Sequence, residues 1–532
     1  MQQKKTKALF FSPFSLIWPH ALPEYQLATI LSNESFDVTV IGCDKSYSGF
    51  CTSMEAATLT INSTAEERAV VCRKCVRNRE ILASNSDDIK FKLIESYGDS
   101  SEEDIDCPQE TDAILKYEND GVPIGRLALY ETLIKFKKNN MIMSDFERRY
   151  FELSFQNALK VLKQAGAAIK AEMPDVVVCY SPQYVIPGIF SAVAKRENIR
   201  VVFIEGSSND VERYSHLRMW DWETHGLSQP ALAALDRFDK YKLTEDGARR
   251  AERLMAVRAN ATAFSAYTAA STNASPYDVF GLDKSRKYFL MAMSSYDEVY
   301  SGYIINKLPL SRFEGQVFRD QTEWLKVTVE WFSKHQELQL VIRPHPREFP
   351  NRREGISSPN WKEWSSVLQN LPPNVKIDHP DLKFSLYDHL SHASVVITGW
   401  SSAAVEALSK GIPVVTYDEK LPTFPPLMQY TGSTVEAYYE NLLKAYADTR
   451  VEHFKDDAKR WLAYTSEVGT VEVGGRIDDR FPLLKKIRAR RLLTEPICRY
   501  LDMKLPPSRV DVKKITGLVL GKGTSLFDLP SQ

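Results

Sequence analysis

Residues 394–415, SVVITGWSSAAVEALSKGIPVV, contain the pattern that decides the fold. Residues 394–398 form a short apolar, β-branched run, which predicts a buried parallel strand. A Gly-Trp turn follows, then a helix predicted over 403–410, which Gly411 ends. A second strand over 412–416 comes directly afterwards, so the pattern predicts a strand–helix–strand unit of a parallel α/β sheet.

Polar groups stand at the ends of two of these predicted strands. Ser401 or Ser402 occupies the N-cap position of the helix, where unpaired amides and the helix dipole predict a phosphate site. The stretch LVIRPHPRE, residues 340–348, places Arg343 as a fixed cation and His345 as a proton carrier after another strand. Each stretch alone also fits an ordinary strand–helix unit. Together in one sheet they predict a ligand site, because ligands collect at the carboxyl ends of parallel strands.

Length and composition restrict the class of protein. A chain of 532 residues is too long for one core and predicts two domains plus an appendage. Its 43% hydrophobic and 26% charged residues are typical of a globular protein, and a net charge of −1 argues against a nucleic-acid partner. Since no run is long enough to span a bilayer, we expect a cytoplasmic protein whose 7 cysteines are reduced.

Alternating strands and helices predict two Rossmann-like α/β domains that face one cleft. The predicted domains cover 1–270, with a cysteine-containing insertion at about 43–120, and 285–432, followed by a helical extension over 433–532. The strands predicted in the first domain cover 7–11, 36–41, 175–179 and 200–204, and its long helix covers 146–172.

The first domain offers three candidate catalytic residues. Glu205 ends a buried strand and is placed to act as general base or nucleophile, with Asp210 in the polar loop predicted over 205–228 as the alternative. His20, in a loop predicted over 12–23, is a candidate to deprotonate an acceptor hydroxyl. The alternative for His20 is a structural histidine.

Two further groups have both a functional and a structural interpretation. Ser294, Ser295 and Asp297 follow the strand predicted over 288–293 and are candidates for ligand contact, but Asp297 also suits the first turn of a helix. A second group is predicted as a structural zinc site, although its C-x7-C and C-x2-C spacing also fits reduced, unligated thiols: Cys43, Cys51, Cys72 and Cys75.

The chain resembles the capsule and lipopolysaccharide glycosyltransferases of GT-B architecture up to about residue 430. The residues that carry the resemblance are RPHP at 343–346, the paired serines followed by EAL and GIPVV, MSSYDEVYSG at 293–302, and GVPIGRLALYE at 121–131. The histidine–proline and paired-serine elements are shared with bacterial sialyltransferases, Kdo transferases and polyol-phosphate transferases.

The resemblance implies a role for each matching residue. His345 would contact the donor phosphate or help the nucleotide leave, and Ser401 and Ser402 would hold the phosphate. Glu406, one helical turn beyond Ser402, would hold the ribose hydroxyls. In a retaining transferase of the Kdo type, a carboxylate of the first domain would form a glycosyl adduct. Whether this chain retains or inverts the configuration stays open. No metal or other cofactor is required for such catalysis.

The function that the resemblance implies is transfer of a sugar from a nucleotide-sugar donor to a glycan or lipid-linked glycan acceptor of a capsule or lipopolysaccharide. The preferred donor is a CMP-linked ulosonic acid such as Kdo. Three alternatives stay open: a UDP-, GDP- or dTDP-sugar donor, polyol-phosphate transfer from a CDP-alcohol, and a non-catalytic glycan-binding assembly protein.

The segment FPLLKKIRARRLLTEPICRYLDMK, residues 481–504, predicts a basic amphipathic helix. Such a helix can lie on an anionic membrane, which would place the protein at the inner face of the cytoplasmic membrane. The alternative is a helix packed on the protein with a solvated basic face.

Overall fold

The structure is a computed structural model that describes residues 5–84, 88–98, 106–224, 229–263, 267–307, 316–351, 355–421, 423–425, 428–448, 450–477 and 495–530. It is an α/β protein with two largely parallel sheets, which confirms the predicted fold class. The chain divides into two compact units. The first consists of Met1–Thr132, Met141–His225 and Val468–Gln532, and the second of Leu133–Asn140 and Gly226–Glu467.

The sheet of the first unit has seven strands in the described part of the chain: β1 (Lys7–Phe11), β2 (Asp37–Gly42), β3 (Ile89–Leu93), β4 (Val176–Tyr180), β5 (Arg200–Gly206), β6 (His216–Asp221) and β12 (Val471–Glu472). Their order is β12-β6-β5-β4-β1-β2-β3. The strands from β5 to β3 are parallel, whereas β6 and β12 pair antiparallel.

Helices cover both faces of this sheet, which is why its central strands are almost wholly apolar. Phe10 belongs to one core cluster with residues of the helices Trp18–Asn33 and Val512–Val519, whereas Phe11 stacks on Phe190 of the helix Val185–Arg196 at 4.1 Å. The helices of this unit are α1 (Trp18–Asn33), α2 (Thr52–Ala56), α3 (Ala65–Ala83), α4 (Thr111–Lys116), α5 (Ile124–Lys135, which continues into the second unit), α6 (Asp145–Glu172), α7 (Val185–Arg196), α19 (Glu495–Lys504) and α20 (Val512–Val519).

The sheet of the second unit is parallel, with the order β11-β10-β7-β8-β9. Its strands are β7 (Tyr288–Ala292), β8 (Gln339–Arg343), β9 (Val375–Ile377), β10 (Val395–Thr398) and β11 (Val414–Thr416). Since Ala292 pairs with both Thr398 and Arg343, three neighbouring strands end side by side. The predicted strand–helix–strand unit and its neighbour, the strand before His345, thus lie in one sheet.

Two layers of helices also enclose the second sheet. Trp324 and Tyr438 pack in the core on one face, and Phe280 and His389 pack near Tyr288 on the other. The helices are α8 (Gln229–Ala233), α9 (Leu235–Lys240), α10 (Glu245–Ala259), α11 (Pro276–Phe280), α12 (Asp297–Ile304), α13 (Gln321–Lys334), α14 (Pro359–Leu368), α15 (Leu386–His389), α16 (Ala403–Leu408), α17 (Val435–Ala447) and α18 (Val451–Glu467).

The segment 43–120 and the loop predicted over 205–228 both contain regular secondary structure. The insertion expected at 43–120 contains the 19-residue helix α3 and the edge strand β3. A capping box between Thr64 and Glu67 starts α3. Part of the loop predicted over 205–228 is strand β6, because its alternating residues HLRMWD suit a sheet with one covered face.

The predicted domains differ in their bounds from the compact units. Residues 226–270 belong to the second unit. The predicted extension over 433–532 places α17 and α18 in the second unit, but β12, α19 and α20 in the first. Pairing of Val471 with Leu217 and burial of Ile515 explain this return to the first unit. The domain boundaries themselves stay predictions.

Candidate functional site

A cavity lies at the carboxyl edge of the second sheet, where β7, β8 and β10 end. Its lining includes five residues singled out from the sequence: Arg343, His345, Ser401, Ser402 and Glu406. It also includes Arg258 and Tyr387, which the sequence did not single out. This cavity has a volume of about 80 Å³. A larger one of about 760 Å³ shares with it a wall that includes Tyr267 and Arg343. Together they provide room of the size that small-molecule ligands occupy.

His345 lines this cavity. Its Nδ1 accepts a hydrogen bond from the backbone N–H of Arg347 at 3.2 Å, so the neutral ring carries its hydrogen on Nε2. Burial lowers the pKa of His345 to about 3, assisted by Arg347, Arg343 and Lys137. The ring of the free protein is therefore neutral at neutral pH. In this tautomer the ring can donate a hydrogen bond through Nε2. The role of His345 as a proton carrier stays a prediction.

Arg343 is held by other side chains of the second unit. Its guanidinium forms an ion pair with the buried carboxylate of Asp378 and donates to the carbonyl oxygen of Phe384 at 3.0 Å. Asp378 also contacts Nε2 of His389 at 3.1 Å. Arg343 lines the cavity, but its charge is largely compensated. These contacts brace Arg343 at the cavity wall, and its role in phosphate binding stays a prediction.

Asp297 is engaged in an equally buried pair. Its carboxylate accepts a hydrogen bond from Nε of Arg347 at 2.9 Å and lies 2.8 Å from Nη2 of the same guanidinium. Asp297 is 2% exposed. The hydroxyl of Ser295 donates to it at 2.7 Å. Asp297 lies in the first turn of α12. This position and the buried ion pair with Arg347 favour the alternative, structural interpretation of Asp297.

Ser294 supports the turn that precedes the serine pair. Its Oγ accepts a hydrogen bond from the backbone N–H of Trp400 at 3.1 Å, and the indole Nε1 of Trp400 donates to the carbonyl of Ser295 at 3.2 Å. Gln321 bonds both the N–H and the carbonyl of Ser294. Ser294 and Ser295 thus position the turn at the cavity.

The two serines differ in their local role. Ser401 Oγ accepts from the N–H of Ala403 at 3.3 Å, and its carbonyl accepts from the N–H of Ala404 at 3.1 Å. The backbone amides of Ala403 and Ala404 are therefore paired, so the expectation of unpaired amides is wrong for these two residues. The helix α16 has only 6 residues. Ser402 is exposed and makes no capping bond; its hydroxyl donates to Glu406 at 3.3 Å.

Glu406 forms an ion pair with Arg258, a cation at the cavity that the sequence did not indicate. Its carboxylate is 5% exposed, accepts from the hydroxyl of Tyr387 at 2.6 Å, and lies 3.4 Å from Nη1 of Arg258. Arg258 lies on α10, 148 residues away from Glu406 in the chain. The sequence of α10 contains several arginines, and nothing in it distinguishes the one that reaches the cavity.

The candidates of the first unit lie at its own sheet edge. Glu205 of β5 forms an ion pair with Arg218 at 2.6 Å. His20 lies in the first turn of α1 and not in a loop, and its ring stacks on Tyr180 at 4.1 Å. Burial, helped by Arg213, lowers the pKa of His20 to about 3, so the ring is neutral. Asp210 is half-buried in the chain that follows β5.

Two carboxyl groups of the first unit were missed, the buried Glu24 and the half-buried Glu131. Burial raises the pKa of Glu24, which accepts a hydrogen bond from Ser12, to about 8. Burial raises the pKa of Glu131 to about 7, although Thr52 donates to it at 2.8 Å. No sequence signal distinguishes either carboxyl group, because its burial depends on elements that are distant in the chain.

The four cysteines near the N-terminus line one small cavity, together with Tyr47: Cys43, Cys51, Cys72 and Cys75. All four are free thiols, and burial raises the pKa of each, which favours the protonated form. Within the described ranges, no group of three or more His, Cys, Asp or Glu residues is placed to hold a metal ion. The observed geometry therefore gives no support to the predicted zinc site.

Residues 481–494, most of the basic segment 481–504 predicted as a membrane-surface helix, lie outside the described residues. Among the helices that the structure describes, none is both long enough and apolar enough to cross a membrane.

Comparison with known proteins gives slight likenesses. No family model matches the chain, and no curated protein matches it. The β-Kdo 2,4-transferase of Thermosulfurimonas dismutans KpsC is 14% identical, over 55% of this chain and 79% of that one, with a TM-score of 0.33. The co-structure of S. aureus MnaA with UDP is 12% identical, over 92% and 97%, with a TM-score of 0.30. The UDP-GlcNAc 2-epimerase of Methanocaldococcus jannaschii is 12% identical, over 91% and 100%, with a TM-score of 0.28. Likenesses this slight support no conclusion about what the chain does.

Proposed function

We propose that this protein is a glycosyltransferase that takes its sugar from a nucleotide-sugar donor. The observation that carries the proposal is the cavity at the ends of β7, β8 and β10. A neutral His345 with its Nε2–H, the serine pair and the Arg258 guanidinium all line it. Hydrogen-bond donors and a cation around one cavity are the groups that bind an anionic phosphate.

The chemistry of sugar transfer explains why these groups suit a leaving nucleotide. When the glycosyl–phosphate bond breaks, negative charge develops on the phosphate oxygen. The Nε2–H of His345 donates to that oxygen, and Arg258 offsets its charge. A preorganised donor of this kind accelerates such a step by about a hundred- to a thousandfold.

Glu406 has a second role in this proposal. Its carboxylate is held between Tyr387 and Arg258, which fixes its direction at the cavity wall. The ribose hydroxyls of the donor give hydrogen bonds to the same carboxylate. This arrangement anchors the nucleoside while the phosphate contacts His345.

Activation of the acceptor is assigned to the first unit. Glu205 is the first candidate for general base or nucleophile, because it ends a buried strand and Arg218 fixes its carboxylate. Asp210 is the alternative carboxylate. His20 is neutral, as a base must be, but its ring is stacked on Tyr180.

The donor we prefer is a CMP-linked ulosonic acid such as Kdo, and the acceptor is a capsule or lipopolysaccharide glycan made at the inner face of the cytoplasmic membrane. The choice of this donor rests on the resemblance to Kdo transferases alone, because the RPHP and paired-serine motifs are shared with enzymes that use other donors. UDP-, GDP- and dTDP-sugars, a CDP-alcohol and a non-catalytic glycan-binding role are the competing possibilities.

A nucleotide screen tests the proposal. The melting temperature is measured with CMP, CDP, UDP, GDP and dTDP, since a ligand that binds only the native state raises it. We expect the largest rise with CMP, and its loss in His345→Ala. A larger rise with another nucleotide would replace the donor. No rise with any nucleotide, together with normal glycan binding, would favour the non-catalytic role.

A further inference from the structure

Helix α19 exposes an apolar stripe. Ile497, Tyr500 and Leu501 are 59%, 47% and 42% exposed, and their i, i+3, i+4 spacing places them on one face of the helix. The opposite face is buried through Asp502 and Met503. An exposed stripe of three large apolar residues is the kind of feature that marks an interaction surface.

A basic stripe lies on the neighbouring helix. The guanidinium of Arg499 in α19 donates to the side chain of Asn78, which joins α19 to α3. On α3, four exposed residues have the spacing i, i+3, i+4, i+7 and so share one face: Val70, Arg73, Lys74 and Arg77. Glu66 and Glu80 lie at the two ends of this face. The two packed helices therefore expose, between them, three positive charges and four large apolar side chains.

We propose that this surface, made of Val70, Arg73, Lys74 and Arg77 of α3 and Ile497, Tyr500 and Leu501 of α19, docks on an anionic phospholipid bilayer. We refer to it as the α3–α19 surface.

The chemistry of the two stripes identifies the partner. Tyrosine, leucine and isoleucine gain free energy by entering the boundary between headgroups and acyl chains, and arginine and lysine pair with the anionic phosphates there. The net charge of the chain is only −1, so the attraction depends on this local cluster and not on the charge of the whole protein. The sequence just before α19 is also basic, but the α3–α19 surface is defined without it. This inference is independent of the proposed transferase activity.

Cosedimentation with vesicles tests the inference on the full-length protein. Vesicles of phosphatidylglycerol and phosphatidylcholine are compared with vesicles of phosphatidylcholine alone. We expect binding to the anionic vesicles, weak binding to the neutral ones, and a loss of affinity at high salt because exposed charges are screened. Equal binding to both kinds of vesicle, or none to either, would overturn the inference.

Two triple variants separate the contributions of charge and apolar surface. Each basic residue at an anionic surface contributes about fivefold in affinity, so the triple variant Arg73→Gln, Lys74→Gln, Arg77→Gln should bind about a hundredfold more weakly. The triple variant Ile497→Ser, Tyr500→Ser, Leu501→Ser should lose at least about tenfold. If both variants bind as the wild type does, the α3–α19 surface is not the docking site.

A matched control changes the same number of charges elsewhere. Lys326, Lys334 and Lys444 are exposed lysines of the second unit, and the triple change to glutamine should leave vesicle binding within about twofold. A loss equal to that of the α3 variant would mean that net charge alone drives binding, against the inference.

Two further measurements check the folding and the self-association of the variants. Because the substituted residues are exposed, every variant should melt within a few degrees of the wild type. Sedimentation velocity reports self-association: if the wild type is a dimer and the α19 variant a monomer, a second copy covers the surface and the inference is wrong. CMP binding is also measured on the α3 and α19 variants. Normal CMP binding together with reduced vesicle binding separates a loss of membrane docking from a failure of the proposed function.

Discussion

Two histidine–proline turns follow neighbouring strands of the second sheet, and they share a local geometry but not an environment. His345 after β8 accepts from the backbone N–H of Arg347 at 3.2 Å, and His379 after β9 accepts from that of Asp381 at 3.3 Å. His345 lies among arginines at the cavity, whereas His379 lies beside the carboxylate of Asp381. The motif gives the turn, and the surrounding residues decide the chemistry.

The two turns are also tied together. Arg343, two residues before His345, forms the buried ion pair with Asp378, the residue before His379. Substitutions in the turn at His345 can therefore be compared with equivalent substitutions in the turn at His379, which serves as the control.

The largest expected effect is on stability. Asp378→Ala leaves the Arg343 guanidinium buried without its carboxylate, and this should lower the free energy of unfolding by about 3–5 kcal/mol. Asp381 also lies beside a histidine, but it is exposed, so Asp381→Ala should change stability by less than about 0.5 kcal/mol. Urea denaturation measures both. Equal losses would show that the buried pair is not what braces the turns.

The next effect is on catalysis. His345→Ala should lower the rate of sugar transfer by about a hundred- to a thousandfold, because one donor to the leaving phosphate is lost. His379→Ala keeps the first turn intact and should stay within a few fold. Initial rates with the donor found in the nucleotide screen measure both. Similar rates for the two variants would remove the distinction between the turns.

The pH dependence of stability gives a third comparison. The pKa of His345 is about 3 in the folded protein and about 6.5 when unfolded, so the unfolded chain binds the proton more tightly. Its contribution to stability is complete above pH 6.5 and is lost as the pH falls toward 3. Between pH 7 and pH 5 the loss amounts to about 2 kcal/mol. His345→Gln should flatten this slope, which urea denaturation at a series of pH values measures; an unchanged slope would contradict the lowered pKa of His345.

The smallest expected effect concerns the cation that the sequence did not reveal. Arg258→Gln should weaken nucleotide binding about tenfold, since one partly buried charge at the phosphate is removed. Arg249 lies on the same helix with its side chain 65% exposed, so Arg249→Gln should bind normally. Titration calorimetry compares the two. An unchanged affinity in Arg258→Gln would place the phosphate elsewhere in the cavity.

The sequence predicted the strands well and the contacts poorly. β1 was predicted at its observed bounds, and α6 within one residue, because apolar runs and helical periodicity are local signals. The shared sheet edge of His345 and the serines was also predictable, since parallel strands end together. The pairing of Arg343 with Asp378 was not, because it joins separate strands through tertiary packing. The neutral state of His345 likewise depends on burial, which no motif encodes.

The most direct test of the central claim is a crystal structure of the protein with CMP, or with the nucleotide that the screen selects. We predict that a phosphate oxygen lies within hydrogen-bond distance of Nε2 of His345 and of the hydroxyl of Ser401 or Ser402. A nucleotide whose phosphate lies outside the cavity at the ends of β7, β8 and β10 would contradict the account.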